Sequence, residues 1–78
     1  MNLTDLSRLR DWEQARVTGI AAGAGAMGRR LRDMGLVRGT RVECLLHSPF
    51  GDPAAYRIRG AVVALRREDS RRVRAVLL

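Results

Sequence analysis

Apolar residues recur along this chain with two distinct periods. Over Thr40–His47 they alternate, with Val42, Cys44 and Leu46 on one face and Arg41, Glu43 and His47 on the other. That two-residue period is the signature of a half-buried strand. Tyr56 and Ile58 alternate with Arg57 and Arg59 across Ala55–Arg59, and Val63 and Leu65 mark the inward face of Ala61–Leu65. Ala15–Ala21, with Val17 and Ile20 as core positions, and Val73–Leu77 complete five predicted strands. Between the first two the period changes. Met27, Leu31 and Met34 stand at i, i+4 and i+7, which predicts a short helix over about Gly25–Met34 with one buried face.

Glycine and proline punctuate these segments. Gly35 supplies the positive φ that ends a helix without a Cβ clash, and Gly39 permits a second reversal before Thr40. Gly23, Gly25 and Gly28 weaken the helix start, since each glycine inside a helix costs ~1 kcal/mol relative to alanine. Gly19 marks a bulge in the first strand. Ser48–Ala54, with two prolines and a glycine, is a loop, and Gly60 allows a tight connection. Arg67–Arg71 reads as one helical turn, while Leu3, Leu6 and Leu9 suit either a short 3₁₀ turn or an apolar lid. Five short strands with one helix between the first and second predict a small, strongly bent sheet closed on itself. Outward arginines on the third strand discourage edge-to-edge pairing.

With 78 residues the chain is expected to form one domain, 1–78. Such a domain buries only roughly 60% of its unfolded surface, so its stability margin is thin. No apolar run approaches the roughly 20 residues that span a bilayer, no signal-peptide core is present, and one cysteine forms no internal disulfide. A soluble, cytoplasmic protein is expected. All 15 basic residues are arginine, which fits GC-rich coding as well as selection for bidentate contacts. The excess of the +7 charge is localised. Ala24–Met34 carries Arg29, Arg30 and Arg32 against Asp33, and Arg57–Leu78 carries seven arginines against Glu68 and Asp69. The other segments are balanced. This asymmetry suits an acidic protein face, an anionic lipid headgroup or a nucleic acid.

Catalytic and metal chemistry is not evident. His47 is the one histidine, and strict alternation puts it on the face opposite Cys44, so no metal site is expected. Cys44, between Val42 and Leu46, reads as a small buried hydrophobe. Asp33, Asp52, Glu68 and Asp69 lie at a helix end, a loop and a turn, with no catalytic pair among them. The run Gly23–Gly28 lacks the Gly-Lys-Ser/Thr ending of a phosphate-binding loop. No enzyme activity and no cofactor are expected. Nucleic-acid binding by the arginines is a rival reading, but Trp12, Phe50 and Tyr56 are scattered where a base-stacking barrel groups its aromatics, so no specific nucleic acid is expected.

Three pieces in fixed order, Arg30-Leu31-Arg32-Asp33-Met34-Gly35-Leu36-Val37-Arg38-Gly39, Gly51-Asp52-Pro53 and Ala64-Leu65-Arg66-Arg67, resemble the FeoA family over about Ala15–Val76. Trp12 stands where the family usually has a turn glycine, and Arg38 where it has proline. The resemblance implies an SH3-like barrel that assists ferrous-iron uptake by contacting the cytoplasmic region of the FeoB transporter, peripheral to the membrane only through that partner. Candidate partner-binding residues are Arg29, Arg30 and Arg32 on the helix and Phe50, Gly51 and Asp52 in the loop. Phe50 either folds over the barrel end or is offered to a partner. The alternatives are an SH3-like domain related to metal-dependent repressors and a small basic nucleic-acid-binding barrel.

Overall fold

The computed structural model describes residues 2–78. Six strands form one antiparallel sheet: β1 (Leu3–Asp5), β2 (Gln14–Ile20), β3 (Arg41–His47), β4 (Ala54–Ile58), β5 (Ala61–Leu65) and β6 (Val73–Leu77). A 3₁₀ turn, Leu6–Arg8, follows β1; α1 (Gly25–Asp33) connects β2 to β3, and α2 (Arg67–Ser70) connects β5 to β6. The strand order is β1-β6-β2-β3-β4-β5.

Two expectations are corrected here. The sheet has six strands, not five, so the helix follows the second strand. Leu3–Asp5 is too short to carry an alternation of its own and becomes a strand by pairing with β6, Leu3 opposite Val76. The sheet is also not closed. Among the described residues no ladder joins β1 to β5, which form its two edges. Consequently β4, with its outward arginines, is an interior strand, and the exposed edge is the uncharged β5, where Val62 is 63% exposed.

The core draws on every layer. Leu6 opens the 3₁₀ turn and Leu9 follows it, Val17 comes from β2, Val42 and Cys44 from β3, Tyr56 and Ile58 from β4, Leu65 from β5 and Val73 from β6. The apolar lid is thus real at Leu6 and Leu9, whereas Leu3 is exposed. Tyr56 Oη donates to the Leu6 carbonyl (3.0 Å), tying the lid to the middle of the sheet. Burial pushes the Tyr56 phenol above its ordinary value. The bulge at Gly19 is present: the β2–β6 register shifts between Val17 and Gly19.

The expected helix stop is also present. Gly35 takes φ +102°, its N–H donates to the Arg32 carbonyl (2.9 Å), and the Leu36 N–H donates to the Leu31 carbonyl (3.1 Å). These paired bonds and the buried Leu31 and Leu36 define a Schellman cap. A Cβ on Gly35 would stand 2.9 Å from Arg59 Cδ, a flexible side chain able to move aside, so the left-handed dihedral is what requires glycine here. Met27 and Met34 pack half-buried against the core beside Leu31, as their spacing predicts. Thr40 N–H donates to the Val37 carbonyl (3.0 Å) with Gly39 at φ +93°, which places Arg38 at the second position of a type II-like turn.

The alternation in β3 fails at one point. Val42, Cys44 and Leu45 are buried, while Leu46 is 55% exposed. The β3–β4 register shifts between Cys44 and Leu46, so an extra residue enters β3 and every side chain after it changes face. Leu46 therefore points outward, contrary to the sequence expectation, and His47 returns to the side of Cys44.

Candidate functional site

The loop between β3 and β4 is built by its own backbone. Ser48 N–H donates to the Pro53 carbonyl (3.0 Å) and Gly51 N–H to the Ser48 carbonyl (2.8 Å), with Gly51 at φ +85° and a cis Asp52–Pro53 peptide bond. The tight turn leaves Phe50 at its tip, 97% exposed. Of the two alternatives for this ring, projection into solvent is the one the structure adopts. Asp52 acts within the fold. Its Oδ1 accepts the Arg67 N–H (2.9 Å), capping the first turn of α2 from a distant loop.

The three helix arginines, Arg29, Arg30 and Arg32, are exposed on α1. They do not join the Phe50 loop. The end of α1 packs at Gly35 against Arg59, which follows β4, whereas the Phe50 loop precedes β4. Five strand residues separate the two ends, about 17 Å. Arg38, Arg41 and Arg59 line an open depression at the basic end. Sequence reading does not group these three because they come from the turn after α1, the start of β3 and the β4–β5 turn.

A second constellation lies elsewhere, at Asp11, Cys44 and His47. Their ligating atoms all lie within 4.8 Å of one another. The expectation that Cys44 and His47 face opposite ways is overturned by the bulge in β3. His47 Nδ1 and Asp11 Oδ1 are 2.6 Å apart, with side-chain exposures of 29% and 53%. Cys44 is fully buried beneath them. Two backbone bonds fasten the segment carrying Asp11 to β3: Trp12 N–H to the Cys44 carbonyl (2.6 Å) and Cys44 N–H to the Glu13 carbonyl (2.9 Å). Trp12 adopts φ +72° to make this turn. Burial, and then the nearby carboxylates of Asp11 and Glu13, push the Cys44 thiol up to about 11. The one sequence signal for this cluster is Leu45-Leu46: two successive leucines break the alternation and mark the bulge.

Comparison with known proteins gives concordant results. The FeoA domain matches residues 4–76. A curated relative from Porphyromonas gingivalis, a fusion of Fe(2+) transport protein A with the Fe(2+) transporter FeoB, is 34% identical over 73 residues, 94% of this chain. The chain spans 8% of that protein's length. The solution structure of an FeoA-like protein from Clostridium acetobutylicum superposes with a TM-score of 0.90 at 29% identity, covering 100% of this chain and 90% of the other. Stenotrophomonas maltophilia FeoA, crystallised with zinc and described as a prokaryotic SH3 domain protein, gives 0.81 at 29% identity over 96% and 89% of the two chains. With the helix stop, the Gly-Asp-Pro loop and the β5 exit all in the family's order, this chain belongs to the FeoA family.

Proposed function

We propose that this protein is a non-enzymatic accessory of ferrous-iron uptake that acts by docking on the cytoplasmic part of the FeoB transporter. The observation that carries this reading is the Porphyromonas gingivalis fusion, in which a domain similar to this one shares a chain with the transporter. Covalent linkage raises effective concentration without adding a contact, so it is useful where two modules already act on one another. No helix among the described residues is long and apolar enough to cross a membrane.

The proposed docking surface has two parts. Phe50 supplies an apolar anchor that gains roughly 1.5–3 kcal/mol if fully buried in a partner pocket. Arg29, Arg30 and Arg32 supply a charged rim that steers association with an acidic face. Gly51 shapes the loop and Asp52 holds its base against α2, so both act by positioning Phe50. The separation of about 17 Å falls within a standard interface, whose ~800 Å² per partner is roughly 30 Å across.

The test is capture of the transporter from native membrane extract, followed by titration with its purified cytoplasmic region. Phe50→Ala and Arg30→Glu are expected to fold normally and to weaken binding, Arg30→Glu more at low salt than at high. Wild-type affinity in both variants overturns the reading.

A further inference from the structure

We propose that Asp11, Cys44 and His47 form a binding site for one borderline-soft divalent transition-metal ion, of which zinc is the type, with a water molecule as fourth ligand. This does not rest on the transporter reading.

Three features of the backbone build the site. The bulge after Cys44 turns His47 onto the cysteine's side of the strand. Paired hydrogen bonds from Trp12 and to Glu13 fasten the Asp11 segment alongside Cys44. The left-handed turn at Trp12 then brings the Asp11 carboxylate to His47. The three residues come from segments up to 36 positions apart, so their convergence belongs to the fold and not to local sequence.

The geometry requires small movements only. Four ligands around zinc, at ~2.0–2.3 Å from the metal, stand about 3.3–3.7 Å apart. The donor atoms here already lie within 4.8 Å of one another. Asp11 Oδ1 and His47 Nδ1, now 2.6 Å apart, separate by less than about 1 Å, and the sulfur approaches by about as much. Both movable side chains reach solvent, which provides the entry path and room for the water, while Cys44 forms the floor.

The donor set and charge agree. Thiolate, imidazole and carboxylate suit zinc and its neighbours; magnesium and calcium prefer oxygen donors. Cys44 releases its thiol proton to solvent, neutral His47 binds through Nδ1 and keeps its proton on Nε2, and Asp11 binds as carboxylate. The two positive charges of the ion are then matched by two negative ligands. Glu13 adds a third negative group, the second carboxylate, near the sulfur, in a chain whose overall charge is +7.

The experiment is calorimetric titration of the chelator-treated full chain with zinc, and optical titration with cobalt(II). One equivalent of zinc is expected per chain, with no binding of magnesium or calcium. Cobalt should give a sulfur-to-metal charge-transfer band, which only Cys44 can supply, and the intense visible bands of a four-coordinate ion. Asp11→Asn and His47→Gln, both at partly exposed positions, should each lower zinc affinity by at least ~10-fold, the lower bound for loss of even an outer-shell partner. Cys44→Ser should abolish the charge-transfer band. If that variant fails to fold, the two surface variants decide alone. Absence of stoichiometric zinc, cobalt binding without the charge-transfer band, or unchanged affinity in both surface variants overturns the proposal.

Discussion

Asp11 and His47, 36 positions apart, meet at 2.6 Å between Oδ1 and Nδ1 on the surface above Cys44. In the metal-free protein this contact contributes little to stability. Both side chains are partly exposed, and solvent screening leaves such a pair ~0–1 kcal/mol. Asp11→Asn should therefore change the unfolding free energy of the chelated protein by less than about 1 kcal/mol. A larger loss in urea titration would make the pair a structural element instead.

Core truncations should behave differently. Val42 and Leu65 are buried in the same cluster, as is Leu6 in the lid. Val42→Ala and Leu65→Ala should cost roughly 1–4 kcal/mol, and Leu6→Ala about 2–5 kcal/mol because it truncates a fully buried leucine, although the Tyr56 bond to the Leu6 carbonyl survives. Chemical denaturation checks all three. A Leu6→Ala variant as stable as wild type would show that the lid is not part of the core.

The contrast between Cys44 and Leu46 shows which parts of this fold are legible in the sequence. Alternation predicts both side chains inside, yet Cys44 is buried and Leu46 is exposed. Alternation fixes facing only while the register holds, and the bulge flips Leu46 and His47 without any glycine or proline to announce it. Gly35 is legible because a Schellman cap demands a positive φ that glycine meets at least cost. The strand Leu3–Asp5 is not, because three residues acquire strand structure only from their partner β6. The same holds for the functional surface. Phe50 stands out as an apolar residue between turn formers, whereas Asp11 gains meaning only when tertiary structure sets it beside His47 and Cys44.

Cys44 sets an alkaline limit on the metal-free protein. Burial raises its thiol from about 9 to about 11, with Asp11 and Glu13 adding to the shift, so the folded state holds its proton longer than the unfolded chain. The thiol's contribution to stability is complete below about 9 and declines as pH rises through the interval to about 11, because the unfolded state loses its proton first. Thiolate absorbance should rise only near the upper end in native protein and near the lower end in denaturant. A thiol dye should label native protein slowly at neutral pH. Rapid native labelling contradicts the buried position.

Two turn residues, Trp12 and Arg38, leave stability to be gained. Trp12 holds φ +72° with its ring 69% exposed, so it bears left-handed strain with little burial in return. Glycine relieves ~1–2 kcal/mol of that strain and gives back roughly 0.5–1 kcal/mol in chain entropy. Trp12→Gly should therefore raise stability by up to about 1 kcal/mol. Arg38→Pro, at the second position of the turn closed by Thr40, should add about 0.4–1 kcal/mol by restricting the unfolded chain. Circular dichroism is the suitable probe, since Trp12 is the one tryptophan. Destabilisation by both variants would mean that the observed turn geometries are not those of the folded protein in solution.

The two parts of the proposed docking surface act independently. Phe50 precedes β4 and the end of α1 packs near Arg59 after it, a strand length of about 17 Å, and mutations at such a distance without shared partners add within ≈ 0.3–0.5 kcal/mol. The double variant Phe50→Ala, Arg30→Glu should then weaken binding to the transporter's cytoplasmic region by the product of the two single effects. Their kinetic signatures should differ: loss of the apolar anchor speeds dissociation, whereas reversal of a rim charge slows association and does so less as salt rises. Asp52→Ala is the control for indirect effects. It removes the cap on α2, costs about 1 kcal/mol of stability, and affects binding only through the placement of Phe50. Its effect should vanish in a Phe50→Ala background. If Asp52→Ala still weakens binding there, the carboxylate itself touches the partner, and the contact extends from the loop tip to its base.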